Sequence, residues 1–370
     1  MLWLGGILIA QAPAGQPASS VPVLTLDTGK EIFEAACVGC HGPGGEGQPL
    51  SILGFEPPAT FPDFTDCNGS SREKVFDWRA VIHEGGPGRG FSDIMPSFAD
   101  ALTLDQIDVV RAYLRELCTE PDWPLGELNL PRPLFTEKAF PEDEWVLAGA
   151  ADTTGDGAVS NRIIYEKRFG VRNQLEIIAP FSFAQQGQQA GGWTKGVGDL
   201  ILGYKRALFS SLPPRSMLSV QGELAIPTGN PDRGLGSGVT TLETFASFAQ
   251  LFPRASFIQA QSGVEFPTDT EKAPRAVFGR IAIGKTFAQN QGFGRIWSPM
   301  VEMLADREIE TGASTNWDIV PQVQISLNRR QHVRVNIGVR RPLNNTEGRS
   351  TQLVFYALWD FFDGGLRDGW

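Results

Sequence analysis

The sequence contains few of the residues that most often build metal and catalytic sites. Its 370 residues include only 3 His and 4 Cys. It also lacks an excess of positive charge, because 32 Lys+Arg stand against 42 Asp+Glu and give a net charge of -10. Nucleic acids are polyanions that bind basic surfaces, so we expect no nucleic-acid partner.

A long hydrophobic run is also missing near the N-terminus. The apolar stretch from Leu2 to Ala10 is far shorter than the roughly 20 residues that a spanning helix needs. Ala10-Gln11-Ala12 fits a small-x-small cleavage site, although no Lys or Arg precedes the apolar run. We therefore expect a signal peptide over residues 1–12, and a disordered linker over the Ala-, Pro- and Ser-rich residues 13–23.

The remaining chain divides at a proline-rich stretch, residues 121–142. Residues 22–120 carry 16 Asp+Glu against 7 Lys+Arg, a net charge of 7 − 16 = -9. Helical patterns occur there over residues 28–37, 72–83 and 103–117, and Thr103 with Gln106 has the capping-box spacing. The acidic N-terminal part is thus predicted to be a helical domain.

Beyond residue 143 the apolar residues recur at every second position. Residues 217–226 place Leu218, Val220 and Leu224 on one face, with Gln221 and Glu223 on the other. About twelve such runs of roughly ten residues follow, separated by turn residues, and this length suits membrane-spanning strands. A soluble β-sandwich is the alternative, and it would need other layers to cover the apolar faces.

The sequence Cys37-Val-Gly-Cys40-His41 carries the clearest chemistry. CxxCH attaches haem c: the two sulfurs bond to the porphyrin, and the histidine becomes an axial iron ligand. A zinc site would need another Cys or His pair, whereas Cys67 and Cys118 stand singly and far apart in the sequence. The sequence around the motif also lacks the strand–helix context of a redox dithiol.

The iron needs a sixth ligand, for which Met95 and His83 are the candidates. Gly86 to Arg115 resembles the distal half of a class I cytochrome c, in which a Met-Pro-x-Phe loop precedes the last helix. The resemblance covers residues 26–120 and implies that Met95 is the distal ligand, opposite His41. It also implies that Pro96, Phe98 and Tyr113 pack around the haem.

Two further features concern the remaining cysteines and one acidic turn. Cys67 and Cys118 are an even pair in an exported chain, which favours a disulfide over two free cysteines. Asp152 to Gly157 begins like a calcium loop, but Ile163 occupies the position of the final glutamate, so a hairpin turn is favoured.

The strand region also resembles a known group. Gly196 to Leu208 is similar to a strand of outer-membrane barrels in the phenol-degradation MetA-pathway transporter group. The combination of domains resembles the cytochrome–porin fusions known as outer-membrane iron-oxidising cytochromes, although its cytochrome part is larger and its barrel smaller. The fold class expected is an all-α cytochrome c domain over residues 24–120, followed by an antiparallel transmembrane β-barrel of about twelve strands over residues 143–370.

These observations predict a c-type cytochrome of the Gram-negative outer membrane that transfers single electrons through one covalent haem c. An electron carrier is favoured over an enzyme, and an iron-oxidase-like role is what the fusion resemblance implies. The haem domain should be periplasmic, with periplasmic redox proteins of basic surface as partners and lipid around the barrel. The alternative is a transport barrel for small hydrophobic solutes, with the cytochrome as tether or sensor.

Overall fold

The structure is a computed structural model, and it describes residues 26–120, 122–154, 158–185, 193–212, 215–288 and 294–370. The predicted signal peptide (1–12), the following linker (13–23) and part of the Asp152–Gly157 turn lie outside these residues. The chain forms a helical domain followed by a closed β-barrel.

The helical domain is built from six α-helices joined by glycine-rich turns. Thr28 and Thr103 cap two of them with complete capping boxes, to Glu31 and Gln106. Ile107, Val110 and Leu114 form a stripe on the last helix that packs on Ile32 and Phe33 of the first. No helix among the described residues is long and apolar enough to cross a membrane. The helices are α1 Gly29–Ala36, α2 Val38–His41, α3 Leu50–Leu53, α4 Cys67–Ser70, α5 Val75–Glu84 and α6 Leu104–Glu116.

The strands close into an antiparallel ring of twelve, which confirms the predicted number and fold class. Fourteen stretches make this ring, because β4 and β5 both pair with β3, while β9 and β10 both pair with β11. The ring is closed by β1 pairing with β14. The strands are β1 Glu144–Asp152, β2 Ala158–Phe169, β3 Asn173–Gln185, β4 Trp193–Val197, β5 Leu200–Ser211, β6 Ser216–Ile226, β7 Thr241–Leu251, β8 Ser256–Pro267, β9 Ala276–Lys285, β10 Phe287–Ala288, β11 Ile296–Glu308, β12 Asn316–Ser326, β13 Val333–Pro342 and β14 Gln352–Asp360.

The barrel has an apolar outer face, and its inner face carries polar side chains among apolar ones such as Met300 and Leu304. On β11, Ser298 and Glu302 are buried while Trp297 and Val301 are exposed. Ile337 on β13 is likewise 52% exposed. A soluble fold would cover such large outward-facing apolar side chains, and here they stay exposed.

Much of the proline-rich stretch lies inside the barrel. Residues 126–143, here called the lumenal segment, leave the helical domain, enter the lumen and return to the start of β1. Leu134 packs against Ile178, Val320 and Tyr356 of the barrel wall. The expectation of a simple linker over residues 121–142 missed this packing, because the segment's partners lie far away along the chain.

Acidic side chains of the wall hold the lumenal segment through two cations. Cross-strand register puts Asp360 opposite Glu144, and Glu166 opposite Glu176. Like charges placed opposite each other destabilise a sheet unless they are compensated. Arg132 lies 2.7 Å from Glu166 and 3.4 Å from Glu144. Lys138 pairs with Glu142 and Glu144.

The helical domain sits at the mouth where the lumenal segment enters. Arg72 pairs with Asp143 and stacks on Phe362, 4.2 Å from the ring centroid. Arg330, in the β12–β13 connection, donates a 2.5 Å hydrogen bond to the Gly90 carbonyl and lies over Phe91. Side chains of both domains therefore contact each other at this mouth.

We predict that Glu302 is the main anchor of the lumenal segment. Its carboxylate accepts hydrogen bonds from the backbone N–H groups of Leu134, Phe135 and Thr136, at 2.7–3.3 Å. A buried donor left without an acceptor costs about 1–3 kcal/mol. Glu302→Ala should therefore lower the free energy of unfolding in detergent by about 3 kcal/mol or more, measured by urea titration.

The matched control is Glu308→Ala, at the exposed end of the same strand. It should change the unfolding free energy by no more than about 0.5 kcal/mol. Equal effects of the two substitutions would contradict an anchoring role for Glu302.

Candidate functional site

A cavity of about 490 Å³ opens in the helical domain, and this is within the usual size range of small-molecule and cofactor sites. Its lining is mostly apolar and comes from α1, α5, α6 and the loops around residues 58–64 and 91–98. Cys37, Cys40, His41 and Met95 all face this one cavity. The structure therefore brings together the four residues that the sequence analysis assigned to one cofactor.

The local fold of the CxxCH motif explains how three of these residues meet. α1 ends at Ala36 with Cys37 as its C-cap, and a single further turn, α2, follows from Val38 to His41. The Cys37 carbonyl accepts hydrogen bonds from the N–H groups of Cys40, at 3.1 Å, and His41, at 2.9 Å. Gly42 then reverses the chain at φ +74°, a conformation that favours glycine.

His41 is buried and neutral. Its ring stacks on Phe61 with centroids 5.0 Å apart, and Phe64 lies at the same distance. Burial lowers the pKa of His41 to about 4, and its buried Nδ1 has no hydrogen-bond partner among the described residues. Burial, reinforced by Cys40, raises the pKa of the Cys37 thiol to about 11.

Met95 lies on a loop fastened to α5. Its carbonyl accepts a 3.0 Å hydrogen bond from Gly86, and Phe98 donates to the Ile82 carbonyl at 3.0 Å. His83, the other candidate for a sixth ligand, is not among the cavity-lining residues, and its Nδ1 lies 2.8 Å from Glu84. Pro96 and Phe98 line the cavity, while Tyr113 packs against the same core.

A disulfide fastens the domain beside this cavity. Cys67, at the start of α4, is bonded to Cys118, just after α6, and their Cα atoms are 5.1 Å apart. Cys37 and Cys40 remain free thiols. The four cysteines thus divide into a bonded pair in the scaffold and a free pair at the cavity.

The cavity wall contains further residues that the sequence did not indicate, and four of them lie at the junction of the two domains. Glu73 and Asp77 come from the helical domain, and Phe362 and Asp363 come from the segment after β14. No sequence signal marked them, because they are brought together by the docking of the two domains. The segment after β14 therefore supplies part of the cavity wall.

The residues present fit a haem c. The cavity offers two free thiols, a neutral imidazole and a thioether within an apolar lining, and these are the groups that attach and ligate such a haem. The buried Nδ1 of His41 also finds no hydrogen-bond partner in the described parts of the chain. The helical domain accordingly has the site of a c-type cytochrome.

Comparison with known families agrees with this class. Residues 25–114 match the family model described as cytochrome c oxidase, cbb3-type, subunit III. This part of the chain is a cytochrome c domain. A comparison of the chain with curated proteins gives no match.

Solved structures resemble the barrel. An outer-membrane channel from Pseudomonas putida F1 is 15% identical, with 62% of this chain and 99% of that chain covered and a TM-score of 0.43. The KdgM porin in complex with disordered oligogalacturonate is 10% identical, with 59% and 99% covered and a TM-score of 0.37. The NanC porin is 8% identical, with 58% and 98% covered and a TM-score of 0.40.

Proposed function

We propose that this protein is an outer-membrane-anchored c-type cytochrome that transfers single electrons through one covalently bound haem. The observation that carries the proposal is the single cavity shared by Cys37, Cys40, His41 and Met95, in a domain docked on a closed barrel. One-electron exchange is the chemistry that the haem supplies when bound.

The residues of the chain have separate tasks in this proposal. Cys37 and Cys40 would hold the cofactor covalently, and His41 and Met95 would be the ligands of its iron. A thioether ligand raises the reduction potential relative to a second imidazole. The rings of Phe61 and Phe64 fix the imidazole, and the apolar lining limits the access of water.

The outer face of the barrel supports a membrane location. Its exposed side chains are apolar, and aromatic residues lie near the strand ends at both mouths, where membrane interfaces favour them. Trp145, Phe169, Phe252 and Trp297 lie toward the cytochrome, and Phe183, Phe266 and Trp317 lie toward the opposite mouth.

The lengths of the connections support a periplasmic cytochrome. Three connections on its side, 170–172, 252–255 and 327–332, are short, whereas the longer 227–240, 268–275 and 343–351 lie at the other mouth. Outer-membrane barrels carry short turns on the periplasmic side. The acidic cytochrome domain suits periplasmic redox partners with basic surfaces.

The lumenal segment argues against the alternative of solute transport. Its side chains pack on the inner wall, and its backbone is hydrogen-bonded to Glu302 and Tyr356 of that wall. A solute would have to displace these contacts. We therefore propose electron transfer as the function and the barrel as its anchor.

Covalent attachment is tested by removing the two anchoring thiols. In Cys37→Ser/Cys40→Ser, haem should no longer stay with the chain on a denaturing gel stained for haem peroxidase activity, since no thioether bond can form. Cys67→Ser/Cys118→Ser is the matched control and should keep its haem. Staining of the first variant at the wild-type level would contradict the assignment.

Met95 as the distal ligand predicts a change in potential. Met95→Leu should lower the haem midpoint potential by more than about 60 mV, a tenfold change in a one-electron equilibrium. It should also abolish the sulfur-to-iron charge-transfer band. Met303→Leu, in the barrel, should change neither property. An unaltered spectrum and potential in Met95→Leu would point to a different ligand.

The side of the membrane is tested with protease on intact cells. A periplasmic cytochrome domain should survive externally added protease and be digested once the outer membrane is permeabilised. A cleavage site inserted into residues 343–351 should be cut in intact cells and serves as the control. Digestion of the haem domain in intact cells would contradict the proposed orientation.

A further inference from the structure

The haem cavity and the mouth of the barrel share an acidic wall. Glu73, Asp77, Phe362 and Asp363 line the haem cavity and also a small cavity of about 20 Å³ at the domain junction. Two of them belong to the cytochrome domain and two to the segment after β14. The acidic groups thus stand between the cofactor site and the barrel.

These acids differ in how they are compensated. The carboxylate of Asp77 accepts a hydrogen bond from Nε of the buried Arg89 at 3.1 Å. Across the described ranges of the chain, the Glu73 and Asp363 carboxylates form no ion pair within 4.0 Å. Both residues are half-buried, and the surface they leave accessible includes the wall of the cavity that a haem would fill.

Burial makes protonation of these groups easier near neutral pH. It raises the pKa of Glu73 to about 7, and it raises the pKa of Asp77 and of Asp363 above their ordinary values. Neighbouring acids reinforce this effect at Glu73 and Asp363, because like charges disfavour ionisation, whereas the cations Arg89, Lys74 and Arg334 oppose it at Asp77. The charged groups that line the two cavities with the three acids, or act on them electrostatically, are Asp63, Asp66, Arg72, Lys74, Arg89 and Arg115 of the cytochrome domain, Glu142 and Asp143 of the lumenal segment, and Arg330, Arg334 and Asp360 of the barrel.

We propose that Glu73, Asp77 and Asp363 form a proton-binding site in the haem wall, so that reduction of the haem takes up a proton at the junction with the barrel. The proposal rests on the haem assigned above. A one-electron donor gives its electron to the ferric iron, and solvent gives a proton to one carboxylate of the site. Oxidation would release both, so the summed charge of the haem and the acids is the same in the two states.

The sign of the effect follows from electrostatics. Ferric haem carries one more positive charge than ferrous haem, so ionised carboxylates nearby stabilise the ferric form. Raising the pH ionises the site and should lower the midpoint potential. The coupling is reciprocal, because reduction of the iron must in turn raise the proton affinity of the acids.

Potentiometric titration of the full-length protein in detergent tests the proposal. Between about pH 5.5 and 8.5, the midpoint potential of the wild type should fall steadily, because the site loses its proton in this range. In Glu73→Gln/Asp363→Asn the slope should fall to less than half of the wild-type value. Glu56→Gln, an exposed acid of the same domain outside the cavity wall, should keep the full slope.

A second measurement does not depend on the folding of any variant. Reducing the wild-type protein in weak buffer should take up protons, read from a pH-indicator dye. A potential that is flat with pH, together with no proton uptake, would overturn the proposed site. A protein without haem absorbance would instead refute the proposed function, so the two failures are distinguishable.

Discussion

The rest of the structure depends on the compensation of charge inside the barrel. Glutamates on neighbouring strands face one another across the wall, and they are buried together with the cations of the lumenal segment. Removing one partner of a buried ion pair leaves an uncompensated charge, which costs several kcal/mol. The lumenal segment is therefore part of the barrel's core, and the proline-rich stretch is structural.

This arrangement fixes the cytochrome domain at the mouth. The chain between the two domains is held in the lumen. Outside it, Arg72 and Arg115 of the helical domain pair with acids of the lumenal segment, and Arg330 of the barrel donates a hydrogen bond to the helical domain. A c-type cytochrome positioned in this way keeps one wall of its haem cavity against the barrel. Residues at the contact between the two domains thus also line the haem cavity.

The period of the strands and the CxxCH motif were readable from the sequence because both are local. Alternation along β6 shows directly which side chains share a face, and Cys37, Cys40 and His41 lie on adjoining turns of one segment. The role of residues 126–143 was not readable, since Leu134 bonds to Glu302 and Gln322, which are 168 and 188 residues further along the chain. Asp363 escaped notice for the same reason, because it joins the cavity only after the ring has closed.

The path of the chain also constrains the order of biogenesis. β1 begins where the lumenal segment ends, and β14 completes the ring by pairing with β1. The last strand to be synthesised must therefore seal the ring around a segment that was synthesised before any strand. The machinery that inserts the barrel would therefore have to pair β14 with β1 while the lumenal segment is already inside and the helical domain lies outside the ring.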